Sequence, residues 1–164
     1  AEDHGVDFAR RHDVVREHVR AMEAIWSHEQ AEFHGEFVDF EPTWSWPKPL
    51  QQPRVRTLIG GGATDTVFAA IAEWADGWIP IGGRGLSEAL PRLRARVEAA
   101  GRDPRQLSVV PFGTIADEGK LEHYAGLGVD EVVLRIRAGA APEVRAQLEA
   151  LAPLVPFAAT LEQP

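Results

Sequence analysis

The chain has no cysteine. That removes disulfides, thiolate metal sites and cysteine nucleophiles, and it fits a reducing, cytoplasmic setting. No apolar run approaches the ~20 residues that a membrane helix needs. The opening residues, Ala1-Glu2-Asp3-His4, are polar and acidic, unlike a signal peptide. Basic clusters are scarce as well. With a formal net charge of −8 and arginines spread along helical stretches such as Arg92-Leu93-Arg94-Ala95-Arg96, a broad nucleic-acid surface is not expected. A small anionic ligand stays open, because backbone N–H groups bind phosphate locally whatever the global charge.

Metal-ligand spacing is also missing. Of the histidines His4, His12, His18, His28, His34 and His123, the pair His12 and His18 lie too far apart in register to share one helical face. His28 and His34 flank a change from helix to hairpin and are expected at the surface. No serine–histidine–acid arrangement follows from the spacing.

What the chain does have is a globular composition, with 164 residues of which 45% are hydrophobic and 26% charged. That is enough for one domain with a real core. The first periodic segment runs from about Asp13 to Ser27, where Val15, Val19, Met22 and Trp26 share a helical face. Ala31 to Phe40, with Phe33, Phe37, Val38 and Phe40 around Gly35, reads as a short hairpin-like excursion. Residues 42–53 carry Pro42, Pro47, Pro49 and Pro53 with Trp44 and Trp46, and read as an extended ordered loop. The two tryptophans are expected to cover a barrel face or to line a pocket.

From there the pattern is regular. Arg56 to Ile59 reads as a strand, followed by Gly60-Gly61-Gly62 and a helix from about Thr64 to Ala75. Gly77 to Ile81 is a second strand, followed by Gly82-Gly83-Arg84-Gly85 and a helix from about Ser87 to Ala100. Its apolar stripe is Leu86, Leu90, Leu93 and Val97, and Gly101 is its stop. Leu107 to Phe112 is a third strand with a short helix near Glu118 to Leu127. Glu131 to Ile136 is the fourth, with a last helix from about Pro142 to Leu151. Four consecutive strand–helix units imply parallel strands joined by right-handed crossovers, an α/β fold. A closed barrel of this type needs eight strands and about 250 residues. A leading helix with no strand before it points to the later part of a longer array.

Several stretches resemble the luciferase-like monooxygenase superfamily. They are Gly5-Val6-Asp7-Phe8-Ala9-Arg10-Arg11 with the helix ending Ala24-Ile25-Trp26, and Phe33-His34-Gly35-Glu36-Phe37 continuing to Pro47-Lys48-Pro49-Leu50-Gln51. Leu58 to Gly62 with Ala75-Asp76-Gly77-Trp78-Ile79-Pro80 is the most specific part. Gly101-Arg102-Asp103-Pro104 and Gly128 to Leu134 complete the order. Trp44-Ser45-Trp46-Pro47-Lys48-Pro49 beside the triple glycine looks most like the branch that uses the deazaflavin coenzyme F420, with FMN as the alternative. The resemblance implies the carboxy-terminal part of a (β/α)8 TIM barrel spanning 1–164, an oxidoreductase acting on a small organic substrate. The amino-terminal half of the barrel has no counterpart, so the expected partner is a missing half-barrel or a second copy. A small phosphate-binding α/β domain is a further alternative.

Gly60, Gly61, Gly62 and Thr64 lie between a strand and a helix start, where amides and the positive helix end suit a phosphate. The resemblance assigns them to the cofactor phosphate; from spacing alone they make a tight turn with Thr64 as helix cap. Arg84, on the next turn along, suits an anionic tail or substrate. Trp78 is expected either to line that pocket or to fill the core. Glu2 and His4 fall where the loop of a preceding strand would end and are weak candidates. The acid or base of the reaction is expected in the absent half.

Overall fold

The computed structural model describes residues 7–51 and 54–161. The candidates Glu2 and His4, together with Gly5, Val6 and Pro53, fall outside these residues. The chain divides into two compact units, Ala1–Arg56 and Thr57–Pro164.

In the first unit a short 3-10 turn, Phe8–Arg10, capped by the Asp7 carboxylate, leads into α1 (Arg11–Ser27). The hairpin β1 (Gln30–His34) and β2 (Asp39–Trp44) follows and pairs antiparallel. The helix spans the stretch that periodicity predicts, but its buried positions are Val19 and Ala21, while Val15 and Met22 are exposed. The strand β2 also runs through Pro42 and Trp44, where an extended loop is expected. Between Ala31↔Thr43 and Phe33↔Phe40 the register shifts by one residue, and the proline sits in that bulge. No ladder bond needs its missing N–H there. Trp44 and Trp46 are both 65% exposed.

The helix and the hairpin turn are tied by Glu17. Its carboxylate accepts from the amides of Phe37 at 2.6 Å and Val38 at 2.8 Å. Desolvation pushes the Glu17 carboxyl up, but these amides outweigh it and hold the group below the ordinary glutamate range. A second tie joins Arg10 to Glu36 through both terminal guanidinium nitrogens.

The second unit contains the parallel strands. In chain order it is β3 (Leu58–Gly60), α2 (Asp65–Glu73), β4 (Gly77–Ile79), α3 (Leu86–Ala99), β5 (Ser108–Val109), β6 (Phe112–Thr114), α4 (Glu118–Gly126), β7 (Val133–Leu134), α5 (Ala141–Leu151) and α6 (Leu154–Thr160). The strands β3, β4 and β5 pair in parallel in that order, as do β6 and β7. The expected third strand is divided at Pro111, which cannot donate to the ladder. Its two parts still follow one neighbour, since Val110 donates to Trp78 O, Phe112 donates to Pro80 O, and Ile81 bridges Phe112. The fourth strand is shorter than the expected Glu131 to Ile136. The strands therefore stand side by side in sequence order, without the reversal of a doubly wound sheet.

All the crossover helices pack on one face of this sheet. Ile59, Trp78, Val109 and Val132 meet Val67, Phe68 and Ile71 of α2, Leu86, Leu90, Leu93 and Val97 of α3, and Tyr124 of α4 in one cluster. The Phe68 and Trp78 rings meet edge to face at 5.3 Å. Burying each of these large side chains contributes roughly 1.5–3 kcal/mol. Arg102 closes the other end of α2 by donating to the carbonyls of Ile71, Ala72 and Ala75. No described helix is long and apolar enough to cross a membrane.

Candidate functional site

Strand alternation decides what the sheet offers on its other face. Trp78 and Val109 turn towards the helices, and alternation points Ile81 and Phe112 away, on the side where Val110 is buried. Ile81 is 84% exposed and Phe112 pairs with it in register.

At the carboxy-terminal ends of the strands two glycine turns stand next to each other. The first, Gly60 to Thr64, leaves β3. Thr64 is the N-cap of α2: its hydroxyl oxygen accepts from the Val67 amide at 3.3 Å, and its own amide donates to Gly62 O at 2.8 Å. The amides of Asp65 and Thr66 in the first helical turn have no acceptor among the described residues. The Thr64 hydroxyl hydrogen is not needed by the cap, since a hydroxyl accepts and donates at once. Asp65 places a negative charge here, and Arg92 of α3 offsets it with an ion pair at 3.0 Å.

The glycines of this turn differ in what they do for the fold. A side chain at Gly61 would press on Val67. At Gly60 a Cβ would make ordinary contact with Ile79, and at Gly62 it would meet nothing within 4 Å. Neither of these two has a left-handed backbone. The protein itself gives Gly60 and Gly62 no reason to lack a side chain.

Trp78 does not face this rim. It is buried against Phe68, and its indole Nε1 donates to Gly61 O at 3.0 Å, so it holds the first turn from beneath. The second turn, Gly82 to Gly85, leaves β4 and ends at the N-terminus of α3, where no side chain caps the helix. Arg84 is exposed on it and makes no hydrogen bond or ion pair among the described residues. The turns therefore bring Gly60, Gly61, Gly62, Thr64 and Arg84 to one rim of the unit, with Trp78 in its support. The histidines stand elsewhere: His34 takes a hydrogen bond with Asp39 at 2.7 Å, and His28 with Ala24 O at 3.1 Å. No group of three metal-binding side chains occurs among the described residues.

An uncharacterised protein of Mycobacterium tuberculosis, Rv0953c, is 40% identical over 152 residues, covering 92% of this chain and 53% of that protein. The pyrimidine monooxygenase RutA of Cronobacter sakazakii is 32% identical over 139 residues, covering 77% of this chain and 39% of its own length. The chain thus spans about half the length of the mycobacterial relative and less of RutA. Among solved structures, monooxygenase RslO1 from Streptomyces bottropensis superposes with a TM-score of 0.51 at 20% identity, covering 96% of this chain and 46% of that one. The coenzyme F420 dependent tetrahydromethanopterin reductase from Methanopyrus kandleri gives 0.52 at 18% identity, over 66% of this chain and 33% of the reductase. The fold is therefore α/β and corresponds to part of the TIM barrels of such enzymes. Residues 1–125 match the family described as luciferase-like monooxygenase, and the chain belongs to that family.

Proposed function

We propose that this chain is the carboxy-terminal half of a luciferase-like oxidoreductase, and that Gly60, Gly61, Gly62 and Thr64 hold the phosphate end of its cofactor, coenzyme F420, with FMN as the alternative. The observation that carries the reading is the pair Gly60 and Gly62, glycines for which the fold has no use. A ligand lying against the backbone supplies the missing reason, as close approach needs the absence of Cβ. The donors present fit a phosphate: the first-turn amides of α2, the spare Thr64 hydrogen and the positive end of the helix. Ligands of parallel barrels bind at this end of the strands. Arg84, one strand along, suits an anionic group of the cofactor tail or of the substrate.

A bound flavin or deazaflavin, once reduced, supplies a hydride, and a flavin also supplies oxygen chemistry. The chain's own share is to bind and orient: the first turn fixes the anionic end, and Ile81 and Phe112 offer apolar surface beside it. The choice of F420 rests on the Trp44 to Pro49 resemblance. The test is a fluorescence titration with F420 and with FMN, using this chain and a longer version carrying an upstream segment. Binding by the longer version, with F420 preferred, supports the reading. If neither version binds either compound, the reading fails.

The exposed apolar side chains of Ile81 and Phe112 at the strand ends favour a second reading, a non-catalytic half-barrel that pairs with another chain. That reading predicts a stable assembly in which neither cofactor binds.

A further inference from the structure

The second glycine turn is held from below by the only tyrosine of the chain. Tyr124 lies on α4, forty-two positions from Gly82, and is 2% exposed. Its hydroxyl donates to Gly82 O at 3.3 Å, and the Thr114 hydroxyl donates to the tyrosine oxygen at 3.4 Å. The Gly82 amide donates to Phe112 O at 2.7 Å, so both polar groups of this residue are engaged. Gly83 has φ +68° and sits against Tyr124 so closely that a Cβ would overlap the hydroxyl. The preceding residue of α4, His123, meets Ser87 Oγ at 3.3 Å in the first turn of α3. Consecutive residues of one helix thus secure both ends of the segment that presents Arg84.

Thr114 reaches Tyr124 because of a bulge. Phe112 pairs with Val133 and Thr114 with Leu134, so β6 carries one residue more than its partner. The extra residue is Gly113, at φ +73°. The bulge breaks the alternation and turns Thr114, the one buried polar side chain among the described residues, inward to the helices.

We infer that the Tyr124 hydroxyl, backed by Thr114, is the positioning group for the Gly82–Gly85 turn and, through that turn, for Arg84. Packing alone would be met by phenylalanine. The hydroxyl chain instead fixes a carbonyl of the turn, so that the backbone on either side of Arg84 has one conformation before any ligand arrives. This inference rests on the reading of the rim as the cofactor-binding end, and its test separates the two.

The variant Tyr124→Phe keeps the buried ring and removes the hydroxyl; Thr114→Val removes the second hydroxyl with little change in shape. Hydrogen exchange at the Gly82 amide is the first readout. Both variants are expected to speed it, Tyr124→Phe by roughly five- to tenfold, the size expected for one hydrogen bond. The amides of α2 should keep their rates. An unchanged Gly82 rate, or an equal acceleration throughout the second unit, overturns the proposal. FMN and F420 affinity is the second readout, taken through a cycle with Arg84→Ala. If Tyr124 acts through Arg84, Tyr124→Phe weakens binding only while Arg84 is present. Fully additive losses overturn that route. If no version of the protein binds either compound, the cofactor reading fails and the exchange result alone decides the role of Tyr124.

Discussion

The indole Nε1 of Trp78 donates to the carbonyl of Gly61 across 3.0 Å, joining the buried core of the second unit to the turn above it. The side chain therefore has two tasks: its ring packs against Phe68, and its N–H fixes the first glycine turn. Trp78→Phe retains most of the packing and leaves the Gly61 carbonyl without its donor. The expected loss of stability is about 1–3 kcal/mol, read by urea unfolding followed by circular dichroism. Unchanged stability would show that water replaces the indole at no cost.

The Thr64 cap separates a structural task from a binding one. Thr64→Ala removes the acceptor for the Val67 amide and should destabilise by about 1 kcal/mol, while Thr64→Ser should retain both the cap and the spare hydrogen. Under the proposed function, Thr64→Ala also weakens FMN and F420 binding and Thr64→Ser does not. Equal binding by all three proteins would remove Thr64 from the site and leave it only as a cap.

The first unit carries its own pH dependence at Glu17. The folded carboxyl titrates below its unfolded value of about 4.3, because the Phe37 and Val38 amides favour the anion. Its contribution to stability is thus complete above that value and is lost as pH falls through the lowered folded one. Protection of the Phe37 and Val38 amides against hydrogen exchange, relative to the intrinsic rate at each pH, should fall as the pH drops through the lowered carboxyl value. Glu17→Gln should flatten that acid limb and leave the second unit unaffected. A limb that persists in the variant would place the titrating group elsewhere.

Much of this architecture is legible without coordinates, for reasons that can be named. Leu86, Leu90, Leu93 and Val97 recur at helical spacing and are all buried in α3. Thr64 precedes an apolar periodic run and is the cap it resembles. The less legible parts depend on contacts distant in sequence. Nothing near Tyr124 marks its hydroxyl as a partner of Gly82, and nothing near Gly113 shows that one extra residue turns Thr114 inward. Pro42 signals a loop because proline breaks ladders, yet a bulge accommodates it within β2. In the helix α6, Pro153 and Pro156 both stand at the start, where a missing N–H costs nothing.

The central claim is that the Gly60 to Thr64 turn binds a phosphate through backbone that must stay bare. The most direct test compares FMN with riboflavin, which is FMN without the phosphate, on the cofactor-binding form of the protein and on Gly62→Ala. A methyl group at Gly62 meets nothing within 4 Å, so folding should be unaffected or improved slightly. The account predicts that the unsubstituted protein binds FMN at least about tenfold more tightly than riboflavin, the difference expected of a charge-assisted contact, and that Gly62→Ala erases that preference. Equal affinity for the two compounds, or a preference that survives Gly62→Ala, would contradict it.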